Sequence, residues 1–194
     1  MPETAPSPGP APGSDDVLRL FVAIPVPESV SLLIRQAVAG PEELLARFPK
    51  TLHVTLSFLG NVSREMASKV EDALGGFTFP AFELRLGPLG AFSQKRGTIL
   101  WAGFAPSPEL SLLKARVDRA LAPLPLGFQS ERGPFKPHVT LARLKPGGVK
   151  APADPRTILP AGAFAPDFFG LYSSRLDPTG AVHTLQRMFP FSAA

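Results

Sequence analysis

Apolar residues fall into short runs with two different periods. Leu18-Arg19-Leu20-Phe21-Val22-Ala23-Ile24 is an apolar stretch of strand length that Pro25 and Pro27 close, which predicts a buried strand. Val30, Leu33, Ile34 and Ala37 then recur at helical spacing over residues 28–39, and Gly40-Pro41 stops the pattern. The order repeats with a strand over 52–59 and an amphipathic helix that Ser63 caps, running to about Leu74 before Gly75-Gly76. Two further strands are predicted over 82–86 and 98–104, joined by a connection rich in Gly, Pro and Ser. A helix over about 108–121 places Leu110, Leu113, Val117, Ala120 and Leu121 on one side, and Pro123 and Pro125 end it. A strand over 139–144 precedes a loop of about twenty residues, and strands over 168–173 and 182–188 flank the turn sequence Asp177-Pro178-Thr179-Gly180. Seven or eight strands and three helices make an α+β chain with a large antiparallel component.

Composition narrows the class. The chain has 194 residues, 44% of them hydrophobic and 19% charged, which excludes a wholly disordered chain and a coiled coil. Of its 24 prolines, five fall in residues 1–16, where few apolar side chains accompany them, so 1–16 is expected to be a disordered tail and 17–194 one domain. The absence of cysteine excludes a disulfide scaffold, a thiolate metal site and a cysteine nucleophile, and fits a reducing compartment. No apolar run approaches the roughly 20 residues that span a bilayer, and no signal segment opens the chain, so a cytoplasmic protein with no membrane partner is expected. A net charge of +4 is a mild bias toward anionic partners.

The chemistry lies in a repeat. Two of the three histidines open the same tetrapeptide, His53-Val54-Thr55-Leu56 and His138-Val139-Thr140-Leu141, each at the start of a predicted strand. Internal duplication accounts for this better than chance. In a strand, His and Thr at i and i+2 share one face while Val and Leu share the other, so each motif divides into a polar face and a core face. Two lobes related by a pseudo-twofold axis bring the polar faces together across a groove. Opposed imidazoles, with an ordinary pKa near 6.5, suit a reaction in which one ring takes a proton while the other gives one. In-line displacement at phosphorus needs that pair, with Thr55, Thr140 and nearby cations holding the non-bridging oxygens. A lone His-Val-Thr-Leu more commonly satisfies a local hydrogen bond, and it is the pairing that favours catalysis. Metal binding is the weaker reading, because two histidines need a third ligand and no Cys or short His/Asp cluster accompanies them. No cofactor is therefore expected.

These residues resemble the two-histidine phosphoesterases, and more closely the RNA 2′,3′-cyclic phosphodiesterases historically called 2′-5′ RNA ligases. The resemblance spans about 18–191. It rests on the two His-x-Thr-x motifs within 52–60 and 134–143, on Arg19-Leu20-Phe21-Val22-Ala23-Ile24, on Leu100-Trp101-Ala102-Gly103 and on Leu171-Tyr172-Ser173-Ser174-Arg175-Leu176. It implies a bilobal fold of two antiparallel sheets around a cleft with helices outside, and a monomer. His53 would be proton donor and His138 proton acceptor in opening a 2′,3′-cyclic phosphate at an RNA end to a 2′-phosphomonoester, with reversible 2′-5′ joining as a secondary activity. The chain departs from the usual pattern at Arg47-Phe48, at Lys136 and at His183, where relatives often carry Trp, Arg or His, and Tyr respectively.

Supporting candidates each have a plainer alternative. Lys136, Arg143 and Arg175 are candidates for phosphate or RNA contact, with solvated charge as the alternative, and Arg143 lies on the far side of the period-2 alternation from His138. Phe135 and Tyr172 are candidates for stacking on a terminal base, whereas Phe58 is expected in the core. Lys95, Arg96, Lys145 and Lys150 are candidates for a basic rim, and His183 for a structural position at the cleft edge. A phosphodiesterase for small cyclic or 2′-5′-linked nucleotides, and a non-catalytic RNA-end binder, are the competing functions.

Overall fold

The computed structural model describes residues 16–38, 42–45, 47–95, 97–126, 134–146, 162–177 and 180–193. Residues 1–15 of the expected proline-rich tail, Arg96, Lys150 and most of the loop after Lys145 lie outside these residues. The elements run β1 (Val17–Pro25), α1 (Glu28–Ala37), α2 (Glu42–Leu45), β2 (His53–Ser63), α3 (Arg64–Gly75), β3 (Leu84–Gln94), β4 (Gly97–Phe104), α4 (Pro108–Leu121), β5 (His138–Leu144), β6 (Ala163–Phe164), β7 (Phe168–Asp177) and β8 (Gly180–Pro190). Ser63 and Ser107 cap α3 and α4 through their hydroxyls, accepting from the amides of Met66 and Leu110. Leu33 of α1, placed by its spacing on the buried face, is exposed together with Leu32.

Two four-stranded antiparallel sheets result, one ordered β2-β1-β7-β8 and the other β5-β4-β3-β6. Each motif strand thus lies at an edge and pairs with the strand that precedes it, β2 with β1 and β5 with β4, across an intervening helix. β2 and β5 also lie against each other, so the two lobes meet along the two motifs. Leu20, Val22 and Ile24 of β1 and Val54 and Leu56 of β2 enter one continuous core with Ile34, Leu74, Leu110, Leu113 and Val117 of the helices.

β3 extends well beyond the predicted 82–86, through Gly87, Pro88 and Gly90. A register shift between Leu86 and Leu89 absorbs the Gly-Pro pair, and a proline is tolerated at such an irregularity because it need not donate to the ladder. Gly90 is required for packing, since a Cβ there would stand 2.0 Å from Cζ2 of Trp101.

The first sheet is curled. In a flat four-stranded sheet the outer strands are about 14 Å apart, three spacings of about 4.8 Å. Yet the rings of His53 on β2 and His183 on β8, the two edges, have centroids 5.0 Å apart. The curl has a local cause in β2. Val22 pairs with Ser57 but Ala23 with Thr55, leaving Leu56 as an extra residue, and Leu59 is extra between the Leu20–Gly60 and Phe21–Phe58 pairs. Bulges bend a strand and increase its twist, and Gly60 beside the second one takes a left-handed φ of 73° that glycine accepts without strain.

The first bulge turns Ser57 toward the helices, where its hydroxyl donates to Oδ1 of Asp118 on α4 at 2.6 Å. Asp118 also pairs with Lys114, whose side chain is only 12% exposed and whose ammonium lies 5.9 Å from the Phe135 ring centroid. This chain of contacts ties the strand of the first motif to the segment that leads into the second. Asp118→Ala leaves the hydroxyl and the ammonium without their partner and is expected to cost about 2–4 kcal/mol. Denaturant unfolding measures this, and an unchanged stability would contradict the role given to Asp118.

Candidate active site

Both motif strands show the same inward and outward order. His53 and Thr55 are half-buried on the concave face while Val54, Leu56 and Ser57 are buried. His138 and Thr140 match them, and Val139, Leu141 and Ala142 are buried. The second strand also carries an extra residue at its fourth position, because Trp101 pairs with Thr140 and Leu100 with Ala142, skipping Leu141. The duplication therefore includes the bulge.

That bulge corrects two expectations. Strict alternation would put Arg143 away from His138 and bury Phe58, but one extra residue restores both to the concave side. Arg143 is exposed there, and Phe58 is 47% exposed, with the guanidinium of Arg19 4.9 Å from its ring centroid. The two occupy equivalent positions, five residues after each histidine.

His138 is held by its main chain and by aromatic neighbours. Its Nδ1 is 2.8 Å from the carbonyl oxygen of Lys136. A carbonyl only accepts, so Nδ1 carries the hydrogen, and in the neutral ring Nε2 is the nitrogen with the free lone pair. The ring stands edge-on to Phe92 at 5.5 Å and 6.2 Å from Trp101, which stacks on Phe92 at 5.1 Å. The sequence assigned a role to the Lys136 side chain, which is exposed, whereas its carbonyl is the atom that touches the site.

His53 sits inside the curl. Phe21 and His183 each approach its ring to 5.0 Å, and Tyr172 stacks on Phe21 at 5.4 Å. Burial, followed by the charges of His183 and His138, lowers the pKa of His53 from 6.5 to about 4. Burial and then Arg19 also lower the pKa of His183, whose Nδ1 is buried without a hydrogen-bond partner among the described residues. Burial raises the Tyr172 phenol to about 12, so it stays protonated. His53 therefore feels His138 electrostatically across the cleft.

The remaining candidates divide. Tyr172 lies on the concave face, opposite Phe21 on β1. Alternation along β7 puts Arg175 on the other face, because Tyr172 and Ser174 share the cleft side and Arg175 follows them without a bulge of its own strand. Phe135 is partly buried, packed against the core with the Lys114 ammonium 5.9 Å from its ring centroid. Arg19 and Phe21, missed as site residues, complete the wall together with His183, which the sequence offered as a residue of the cleft edge. The alternation Arg19, Phe21, Ala23 in β1 was readable, but only the curl shows that it faces His53. Among the described residues no group of three or more His, Cys, Asp or Glu could hold a metal ion, and no helix is long and apolar enough to cross a membrane.

Comparison with known proteins places this geometry. Residues 26–157 match the family model described as the 2′-5′ RNA ligase superfamily. An RNA 2′,3′-cyclic phosphodiesterase of Archaeoglobus fulgidus is 33% identical over 132 residues, 66% of this chain and 73% of the relative. One of Escherichia coli K12 is 33% identical over 162 residues, 80% of this chain and 86% of the relative. The crystal structure of Escherichia coli LigT complexed with 3′-AMP superposes with a TM-score of 0.73 at 27% identity, covering 91% of this chain and 99% of that one.

The depressed pKa of His53 has a measurable consequence for stability. Between about pH 6.5 and 4 the unfolded chain binds a proton that folded His53 does not, so stability is full above 6.5 and is lost as the pH falls through this window. The loss attributable to His53 is roughly 3 kcal/mol. Unfolding at pH 7 and pH 4 is expected to show this extra loss in the wild type relative to His53→Gln, and parallel pH dependences would contradict it.

Proposed function

The chain belongs to the 2′-5′ RNA ligase superfamily, and from that membership we propose how its two histidines divide the work of opening an RNA end. The enzyme is an RNA 2′,3′-cyclic phosphodiesterase. The cyclic phosphate binds between the motifs. His138 removes a proton from the attacking water through the bare Nε2 that its hydrogen bond to Lys136 leaves free, and this bond is the observation that carries the assignment. The water oxygen bonds to phosphorus as the bond to the ribose 3′ oxygen breaks, and His53 gives that oxygen its proton. The product is a 2′-phosphomonoester with a free 3′ hydroxyl, and the site returns with its protons exchanged. With an RNA hydroxyl in place of water, the same displacement forms a 2′-5′ bond, and its reverse breaks one.

The environment of His53 makes its proton conditional on substrate. A ring with a pKa near 4 is neutral in the empty cleft at neutral pH. A phosphate anion beside it favours the charged form, so the donor is loaded as the substrate arrives. The hydroxyls of Thr55 and Thr140, on the same faces as the histidines, bond the non-bridging oxygens, and Arg143 offsets their charge. Phe58, half-exposed with the Arg19 guanidinium over its ring, offers its remaining surface to the terminal base, with Tyr172 deeper in the same wall. One chain supplies both motifs, so a monomer suffices.

A binding module has no use for an acid and a base held at opposite walls. His53→Ala and His138→Ala are each expected to lower kcat for a 2′,3′-cyclic phosphate RNA end by about 10²–10⁴ while the RNA still binds. Retention of turnover in either variant would refute the division of roles.

A further inference from the structure

The eight strands contain five arginines but only one acidic residue, Asp177 at the end of β7. Arg85 pairs with Glu83, and Arg187 lies near Glu71 and Asp72 of α3. Arg19, Arg143 and Arg175 have no carboxylate partner among the described residues. Arg175 lies on the convex face and Arg143 on the second motif strand, which leaves Arg19 as the strand cation on the concave wall of the first sheet. It is exposed, opposite the exposed Asn61 of β2, and its guanidinium lies over the Phe58 ring at 4.9 Å. Stacking holds the planar fork while its N–H donors stay free to grip two oxygens of one phosphate.

Its position relative to the histidines decides which phosphate. Along the β1–β2 ladder Arg19 pairs with Asn61, Phe21 with Phe58 and Pro25 with His53, so Arg19 lies on the same wall as Phe21 but farther along it from the first motif histidine. The rings of Phe21 and His183, each 5.0 Å from His53 and 5.0 Å from each other, fill the wall between Arg19 and the donor. A cyclic phosphate held between His53 and His138 is therefore beyond those rings from Arg19. The remaining anion of that nucleotide is its 5′ phosphate, the linkage to the rest of the RNA.

We propose that Arg19, steadied on Phe58, is a subsite for the phosphodiester on the 5′ side of the terminal nucleotide, and so distinguishes the end of an RNA chain from a free nucleoside cyclic phosphate. This rests on the reading of the cleft as an RNA-end phosphodiesterase. It assigns Arg19 to recognition and not to the reaction.

Steady-state kinetics with adenosine 2′,3′-cyclic phosphate, with and without a 5′ phosphate, tests it. The wild type is expected to show a KM about tenfold lower for the 5′-phosphorylated compound, and Arg19→Gln to lose that preference. Arg19→Lys, which keeps the charge but not the fork, is expected to retain part of it. A short RNA with a cyclic phosphate end, in which a neutral methylphosphonate replaces the last linkage, gives a second reading on the unmutated protein. That replacement is expected to raise KM about tenfold for the wild type and to add nothing in Arg19→Gln. The proposal is overturned if Arg19→Gln keeps the preference, if it weakens both adenosine substrates equally, or if the wild type is indifferent to the neutral linkage. A wild type that opens none of these substrates would instead sink the underlying reading of the cleft.

Discussion

One extra residue in each motif strand, Leu56 in β2 and Leu141 in β5, governs most of what this cleft can do. Without it, alternation would carry each strand's fifth residue after histidine to the convex side, and the wall would lose Phe58 and Arg143. With it, each strand still buries four hydrophobic residues in the core while its polar face continues along the cleft. In β2 this insertion and a second one at Leu59 bend the first sheet until the rings of His53 and His183, from opposite edges, meet.

The curl has an electrostatic result. It encloses His53 among Phe21, His183 and Tyr172, where an imidazole resists protonation. His138 instead has one nitrogen tied to a main-chain carbonyl and the other free. Two motifs identical in sequence thus become chemically distinct through their neighbours, which is what a directional acid and base require. Carboxylates support this by their distribution. They are concentrated on helices and connections, as in the Glu65–Lys69 and Lys114–Asp118 pairs, and leave the strands lining the cleft almost free of negative charge.

Much of this was legible in the chain itself. The helices, the Ser63 cap and the order of strands follow from apolar spacing and turn residues, because those signals are local. The paired His-Val-Thr-Leu tetrapeptides carried both the duplication and the acid–base reading. Period-2 logic failed where a bulge intervened, so Phe58 was assigned to the core and Arg143 to the far side. It also gave no sign that His183, 130 residues from His53, would touch it, since that contact depends on sheet curvature. Phe135, singled out for its flanking prolines and its place beside the second motif, is partly buried against the core with the Lys114 ammonium near its ring, a contact that no local signal announces.

The central claim is that the histidine pair alone performs in-line opening of a cyclic phosphate with departure of the 3′ oxygen. Incubation with a short RNA ending in a 2′,3′-cyclic phosphate, in excess chelator, followed by identification of the terminal phosphate, tests it most directly. The account predicts a 2′-phosphomonoester formed at an undiminished rate. A 3′-phosphate product, or a reaction that stops when divalent ions are removed, would contradict it.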